Sequence, residues 1–361
     1  MNNLKKLGLS ALAGSLVAVS AQAGEMSVSG AANVSFVTGE TTTSGKSIGS
    51  DQDVAFTGTG ELDNGWTFTM STAMTDANAV SSSFTSLTMG SLGTVTFGNA
   101  TGGASGKYDE EVPQAYEQAS DAHHASSSSS NKVGDQMDNS GLLYTSPAFD
   151  FGGASITVDA EYNPQAANTD ANDGGQVAYS ATVGKGYGLG VTAAFEGGSI
   201  GVYGNEMESR PGKATAGQNA RDAFEGVVYA KYAFGPVALG VSKSYLDAAA
   251  NTAGGIDTDG YVFRTAGGIF ENDQMSVAFN VNDDLSVSVT KSKDTYTGAG
   301  LTDLTAAVAD VKVDTTTTAL QAAYSMGAMS IKAYNMSVKN PGHDQNAGTL
   351  SVTEIALGLA F

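Results

Sequence analysis

The sequence predicts an all-β protein, a transmembrane antiparallel β-barrel of sixteen strands. Three observations lead to this prediction. Apolar and polar residues alternate in segment after segment, short and long linkers alternate along the chain, and the strands can be counted to an even number. Single-chain bacterial barrels combine an even number of antiparallel strands with short turns at one end and long loops at the other.

The alternation has a period of two. At the C-terminus, for example, Ile355, Leu357, Leu359 and Phe361 occupy every second position. Successive side chains of a strand lie on opposite faces, so this spacing predicts strands with one apolar and one polar face. A soluble β-sandwich would also alternate, but its outer face usually carries many charges. Here the polar positions are mostly Ser, Thr and Gly, which favours the barrel.

The linkers allow the strands to be ordered. Tight connections such as 62–65 and 282–284 separate long polar ones such as 39–52, 100–138 and 163–175. Strands running towards the long loops are predicted at 26–37, 65–75, 93–99, 153–162, 199–206, 236–246, 285–296 and 328–338. Returning strands are predicted at 53–62, 82–90, 139–149, 177–195, 223–234, 260–281, 313–325 and 349–361. The 177–195 strand requires a glycine bulge at 184–186, because two strands there would reverse every later loop.

The N-terminus has the features of a signal peptide, predicted over residues 1–23. Lys5 and Lys6 precede a short apolar stretch at 7–20, and Ala21 and Ala23 are the small residues that a signal peptidase recognises. A membrane-anchoring helix would need about 20 apolar residues, and this stretch is shorter. We therefore expect an exported protein whose barrel comprises residues 24–361.

Composition excludes several classes of function. The chain has no Cys, so disulfides, thiolate metal sites and Cys nucleophiles are excluded. The formal net charge is −20, and without Lys5 and Lys6 the remaining 15 basic and 37 acidic residues give −22. Such a negative balance argues against nucleic-acid binding, because phosphates require a basic footprint.

No cofactor is expected. The adjacent residues His123 and His124 cannot easily chelate one ion, and no third His is near them in the sequence. The acidic stretches Asp170–Asp173 and Asp257–Asp259 would allow loosely bound Ca²⁺ or a divalent bridge to lipopolysaccharide. Neither has the ordered ligand spacing of a calcium loop, so a solvated loop is the default interpretation.

Four motifs carry a family resemblance: GTVTFG at 93–98, LLYTSP at 142–147, FGG at 151–153 and DDLSV at 283–287. They are similar to segments of general diffusion porins, most closely those of alphaproteobacteria. The resemblance implies a water-filled pore for small hydrophilic solutes in the outer membrane of a Gram-negative cell. It also implies a homotrimer surrounded by outer-membrane lipid and lipopolysaccharide, and an inward-folded third loop that narrows each channel. The strand ending in Phe361 resembles the signal that the barrel-assembly machinery recognises.

The candidate constriction is the loop at 100–138. Pro113 suits a first helical turn, so we predict a short helix from Pro113 to about Ala122. The acidic residues of the loop are predicted to form a negative half-ring facing the lumen; they are Asp109, Glu110, Glu111, Glu117 and Asp121. The alternative is a solvated acidic surface loop. The length of the loop favours the half-ring, because a sixteen-stranded barrel leaves a lumen to fill.

Alternation also assigns charged residues to the barrel wall. Four residues are predicted to face the lumen: Asp159, Glu161, Lys231 and Arg264. Three lysines share the parity of outward apolar residues and are expected beyond the hydrocarbon or at a bulge: Lys243, Lys291 and Lys293. Between residues 7 and 106 the only basic residue is Lys46, whereas better-known porins set a basic cluster on the early wall. We therefore expect a net negative field that favours cations.

Three alternative functions remain at this stage. A substrate-specific channel for sugars would need an aromatic slide, and one for phosphate an arginine ladder, yet the chain has only three Arg. A structural or adhesive barrel would have no open pore. An outer-membrane enzyme would need His, Ser and an acid at one rim. With His only at 123, 124 and 343, we expect no enzymatic activity.

Overall fold

A computed structural model of the protein describes thirteen parts of the chain. They are 24–39, 47–75, 80–99, 103–109, 111–121, 137, 141–165, 183–209, 222–247, 255–256, 262–263, 268–298 and 312–360. The predicted signal peptide and Phe361 lie outside these residues.

Most of the described residues form strands. In chain order these are β1 (Met26–Gly39), β2 (Ser47–Glu61), β3 (Thr67–Met74), β4 (Val80–Thr88), β5 (Thr94–Asn99), β6 (Gly141–Thr145), β7 (Phe149–Phe151), β8 (Ala154–Asn163), β9 (Val183–Phe195), β10 (Gly198–Ser209), β11 (Ala223–Phe234), β12 (Val237–Asp247), β13 (Gly255–Ile256), β14 (Val262–Phe263), β15 (Ile269–Asn280), β16 (Leu285–Thr297), β17 (Lys312–Met326), β18 (Met329–Lys339) and β19 (Thr349–Ala360). Short 3-10 helices lie at Gly90–Leu92, Ser105–Lys107, Ala119–Asp121, Pro341–His343 and Gln345–Ala347. Across the described ranges, no helix has the length and apolar character needed to cross a bilayer.

The main sheet closes on itself. Neighbouring strands pair antiparallel, and β1 pairs with both β2 and β19. β6 and β7 both pair with β8, so they form a single crossing that is interrupted at 146–148, where Pro147 has no N–H to donate. β13 and β14 pair only with each other, apart from the main sheet. The predicted barrel of sixteen antiparallel crossings is therefore confirmed.

Each wall strand has an apolar outer face and a polar inner face. On β16, Val289 is 51% exposed, whereas its neighbours Ser288 and Thr290 are buried. The same alternation recurs on β15, where Met275 is exposed and Gln274 and Ser276 are buried. Paired residues of adjacent antiparallel strands share a face, so the register extends this assignment around the whole barrel.

Two details of the predicted strands can be compared with the structure. In β10, Met207 and Ser209 oppose Gly186 and Val183 of β9, which leaves two residues of β9 opposite one of β10. This is the bulge predicted at 184–186. The strand predicted at 260–281 is wrong in its first part, because β15 begins at Ile269. Gly268, directly before β15, has a φ of 104°, which glycine adopts readily.

Candidate functional site

Residues 103–109 and 111–121, called the inner segment below, lie against the inner face of the barrel. The segment contacts Glu161 on β8, Lys231 on β11 and Glu354 on β19. These three strands belong to different sides of the wall, so the segment passes through the interior. This is the course expected of an inward-folded third loop.

The helix predicted from Pro113 to Ala122 is wrong over the described residues. Only Ala119–Asp121 forms a single 3-10 turn. Upstream of it, the backbone bonds to the barrel wall: Ser276 Oγ donates to the carbonyl of Pro113, and the Ala115 N–H donates to Ser288 Oγ at 2.9 Å. Backbone groups must find partners, and here the wall supplies those that a helix would supply internally.

Asp159 on β8 anchors the start of the inner segment. Its Oδ1 accepts hydrogen bonds from Lys107 Nζ at 2.5 Å and from Thr145 Oγ1 at 2.6 Å. Its Oδ2 accepts one from the Tyr108 hydroxyl at 2.9 Å. Asp159 is only 3% exposed, so the predicted lumen-facing carboxylate lies on the inner face as expected but is covered by the segment.

Glu161 provides a second anchor on the same strand. Its Oε2 accepts the backbone N–H of Ala104 at 3.0 Å and the hydroxyl of Tyr203 at 3.1 Å. Asn205 donates to the Tyr203 oxygen and to Glu225 Oε1, which extends the network to β11. Glu161 is also buried, so its main contacts here are structural ones within the protein.

Two glycines allow the segment to approach the wall closely. A Cβ added to Gly190 on β9 would lie 2.3 Å from the Tyr108 hydroxyl, and one added to Gly240 on β12 would lie 2.2 Å from Cδ of Pro113. No side chain fits at such distances, because real Cβ contacts are longer. The inner segment can therefore pack directly against the wall at these two glycines.

The end of the segment is held by β17 and β19. Gln321 Oε1 accepts the backbone N–H of Tyr116 at 2.8 Å, and its Nε2 donates to the carbonyl of Glu117 at 2.6 Å. The Tyr116 hydroxyl donates to Glu354 Oε1 at 2.9 Å, and Lys332 Nζ lies 5.2 Å from the centre of the Tyr116 ring. Burial, and then the Glu354 carboxylate, raises the pKa of Tyr116, so its hydroxyl remains a donor.

One predicted acid of the segment is paired with a predicted wall lysine. Lys231 Nζ forms an ion pair with Glu111 Oε2, and the same ammonium group lies 5.8 Å from the centre of the Tyr229 ring. Both side chains are partly exposed. The structure thus brings Glu111 and Lys231 together, and each reduces the field that the other would produce alone.

The wall formed by β1 to β5 has a different inner face. Its inward positions are rich in hydroxyl groups that bond across strands: Thr57 with Ser71, Thr96 with Ser86, and Thr88 with Thr94. Asp51 and Asp53 on β2 share this face, because they pair with the inward residues Asn33 and Ala31. The sequences of β1 to β8 contain no Lys or Arg. None of these strands therefore contributes a basic side chain to the wall.

A second connection also folds inward, between β18 and β19. His343 is 1% exposed, and its Nε2 lies 2.5 Å from Oδ2 of Asp294, an inward residue of β16. Its ring packs against Phe270 and Tyr296. Within the described ranges, no group of three or more His, Asp or Glu could hold a metal ion.

The remaining predicted residues have different outcomes. Asp109 and Glu117 lie on the inner segment, as does the backbone of Asp121. Glu110, Arg264, His123, His124 and both acidic stretches considered for Ca²⁺ lie outside the described residues. Sequence reasoning missed Lys107, Lys332, Tyr116 and Glu354. Parity alone would have placed Glu354 and Lys332 on the inner face, but their contacts with the segment depend on tertiary structure.

The comparisons with known proteins agree with this architecture. A family model described as Gram-negative porin matches residues 8–360. A search of curated proteins finds no match. Solved structures similar to this chain include a porin refined at 1.8 Å resolution, with 16% identity, a TM-score of 0.62 and coverage of 93% of this chain and 100% of that one.

Two further structures show the same likeness. OmpF of Salmonella typhi in complex with daunomycin has 15% identity and a TM-score of 0.63, covering 94% of this chain and 98% of that one. An anion-selective porin from Comamonas acidovorans has 14% identity and a TM-score of 0.57, covering 94% and 100%. These identities show a shared fold, and the family model covers nearly all of the sequence. The chain therefore belongs to the family of Gram-negative porins.

Proposed function

We propose that this porin, an outer-membrane diffusion channel, lets small hydrophilic solutes pass between the inner segment and the hydroxyl-rich wall of β1 to β5, with a preference for cations. The family and fold support a channel and not an enzyme. The cation preference is a matter of charge at the narrowest point, since a pore discriminates by size and charge.

The observation that carries the cation preference is the excess of carboxylates on the described inner surface. The acids are Asp51, Asp53, Asp109, Glu111 and Glu117, together with the buried carboxylates Asp159, Glu161, Glu225, Asp294 and Glu354, and the lysines are Lys107, Lys231 and Lys332. Two lysines are paired, with Asp159 and Glu111. The remaining field is negative, which raises the local concentration of cations and lowers that of anions.

A sugar-specific channel receives less support. An aromatic slide must be reachable by solute, but the cluster of inward-facing rings on β10, β11 and the inner segment, Tyr108, Tyr203 and Tyr229, is at most 4% exposed. They act as supports for the segment. A barrel without an open pore would be recognised by a conductance near zero after reconstitution.

The test of the proposed function is a planar-bilayer measurement. The refolded mature chain in a KCl gradient should give single-channel steps and a reversal potential of the sign expected for cation selectivity. Replacing Glu117 by Gln should move the reversal potential towards zero. Anion selectivity of the unmodified channel would contradict the proposal, even if conductance were normal.

We also propose the parts of the family pattern that lie outside the described residues or beyond a single chain. Residues 1–23 act as a signal peptide, and Phe361 acts as the terminal residue of the assembly signal. The channel is a homotrimer that associates with lipopolysaccharide and needs no cofactor. Mass spectrometry of the mature N-terminus tests the signal peptide, and analytical ultracentrifugation in detergent tests the homotrimer.

A further inference from the structure

The end of the inner segment rests on a single row of register partners. One inward residue from each of β16 to β19 belongs to this row: Ser288, Gln321, Tyr334 and Glu354. A hydrogen bond or a ring contact joins each of them to residues 115–117 of the segment. The next row, two residues nearer the short turns, therefore lies directly beneath the segment, on the side that leads to the short-turn end of the barrel.

Lys332 on β18 is the charged residue of that next row. Its register neighbours on β16, β17, β19, β1 and β2 are all small: Ser286, Ala323, Ala356, Ser35 and Gly49. The Lys332 ammonium lies 5.2 Å from the centre of the Tyr116 ring, and within the described ranges no carboxylate forms an ion pair with it. Lys107 and Lys231 on the inner surface both have such a partner. Lys332 thus offers the passage a positive charge that no described carboxylate neutralises.

A polar floor lies one row further towards the short turns. Its register partners on β18, β19, β1 and β2 are Ser330, Gly358, Asn33 and Asp51. The place that a Cβ of Gly358 would occupy is 2.7 Å from Ser330 Oγ and 3.0 Å from Asn33 Oδ1, so two polar groups converge over this glycine. Asn33 and Asp51 are exposed. The floor therefore places a hydroxyl and an amide beside the lysine, and a carboxylate at its far end.

We propose that Lys332 and this floor form a subsite for zwitterionic amino acids that pass the constriction. The carboxylate of the solute binds the Lys332 ammonium, with the Ser330 hydroxyl as a second donor, and the ammonium of the solute binds Asp51. Hydrogen bonds between charged groups are stronger than those between neutral ones. Strands lie about 4.8 Å apart, so the backbones of β18 and β2 are about 14 Å apart, a distance that two side chains and a small amino acid can span.

The pairing of opposite charges explains why a zwitterion is favoured. A simple anion is attracted by Lys332 but repelled by Asp51, and a simple cation meets the reverse. A solute with both charges gains at both ends, because its charges are complementary to those of the wall. This inference rests on the passage proposed above and names a class of solute for it.

The test is the flux of labelled L-alanine into liposomes that contain the refolded mature channel. A passage without a subsite gives a flux proportional to concentration, whereas a subsite makes the flux saturate. An ion pair between partly exposed groups changes an affinity by up to about fivefold, so Lys332→Gln should raise the half-saturating concentration about two- to fivefold. Lys332→Arg should restore the original value. The matched control is Lys185→Gln, which removes an exposed lysine of β9 and should leave the value unchanged.

Two further solutes separate the parts of the subsite. Propionate has the carboxylate of alanine but not its ammonium, so its binding should be weakened by Lys332→Gln and not by Asp51→Asn, which should weaken the binding of alanine. Glycerol flux reports the width of the passage and should be equal in all variants.

A flux of alanine that stays linear through the unmodified channel would overturn the subsite. An unchanged half-saturating concentration in a folded, conducting Lys332→Gln variant would do the same, as would a change that glycerol flux shares. Reversal potentials in a KCl gradient test the cation preference separately. Anion selectivity together with a saturable alanine flux would therefore remove that preference and leave the subsite in place.

Discussion

Lys231 on β11 and Glu111 on the inner segment form an ion pair inside the barrel. A lysine of the wall thus neutralises an acid of the constriction. Since the Lys231 side chain is 40% exposed, the pair acts mainly on the local field and little on stability.

Replacing Lys231 by Gln should therefore raise cation selectivity. The unpaired Glu111 would act on passing ions with about 1 kcal/mol at about 4 Å in water, which corresponds to at most about a fivefold rise in the cation-to-anion permeability ratio. Reversal potentials in a salt gradient measure this ratio. The outward lysine variant Lys185→Gln serves as a control and should leave it unchanged. A fall in the ratio would contradict the placement of this pair in the ion path.

Replacing Asp159 by Asn should loosen the start of the inner segment. The buried hydrogen bond from Tyr108 to a charged acceptor contributes about 1.5 to 3 kcal/mol, and the half-exposed Lys107 pair contributes less. The variant should close at lower applied voltages and show noisier open channels. Voltage ramps on single channels measure the closing voltage and the open-channel noise. The matched control is Asp53→Asn, which removes another carboxylate of the inner face, on β2. Identical closure in the two variants would mean that Asp159 is no anchor.

Gly240→Val should displace the segment at Pro113. The added side chain would occupy the space of Pro113 Cδ, 2.2 Å from the new Cβ, so the backbone must move away from β12 and towards β1 to β5. We expect a lower single-channel conductance because the passage narrows. Gly58→Val on β2 is the control, since nothing lies within 4 Å of a Cβ there. An unchanged conductance in Gly240→Val would show that the passage lies elsewhere.

A lysine placed on the hydroxyl-rich wall should oppose the acids of the segment. Thr69 on β3 shares the inner face with Ser71, so Thr69→Lys puts a cation on the wall that borders the proposed passage. The cation preference should fall, whereas Thr69→Gln, similar in length but neutral, should keep it. Reversal potentials of the two variants, measured in the same salt gradient, distinguish these outcomes. If both behave alike, β3 does not border the ion path.

The Tyr116 contact should persist at alkaline pH. Its pKa is raised above the ordinary value of 10.0, so the folded channel keeps the protonated donor, and the contact is lost only above that value. Selectivity and voltage closure should therefore be constant from neutral pH to about 10. Tyr116→Phe, which lacks the hydroxyl, shows the behaviour without the contact at any pH. Wild-type channels that come to resemble this variant below pH 10 would refute the argument.

The wall could be predicted from the sequence because alternation is local. The alternation of residues within each strand indicates which face meets lipid, and Gly184 with Gly186 indicated the bulge of β9. The course of the inner segment could not be predicted in this way. Pro113 favoured a helix locally, but Ser276 and Ser288, more than 160 residues away, bind the backbone instead. For the same reason, parity placed Asp159 and Glu161 on the correct face without revealing that the segment covers them.

The pairing of β1 with β19 makes the first and last strands of the chain a single seam. Until residues 349–360 are present, both β1 and β18 are edge strands with unpaired backbone groups, and lipid supplies no partners for them. The barrel therefore closes only when the last strand, β19, pairs with both β1 and β18. A chain shortened by its final strand loses two ladders at once, and its two free edges can find partners only in other chains.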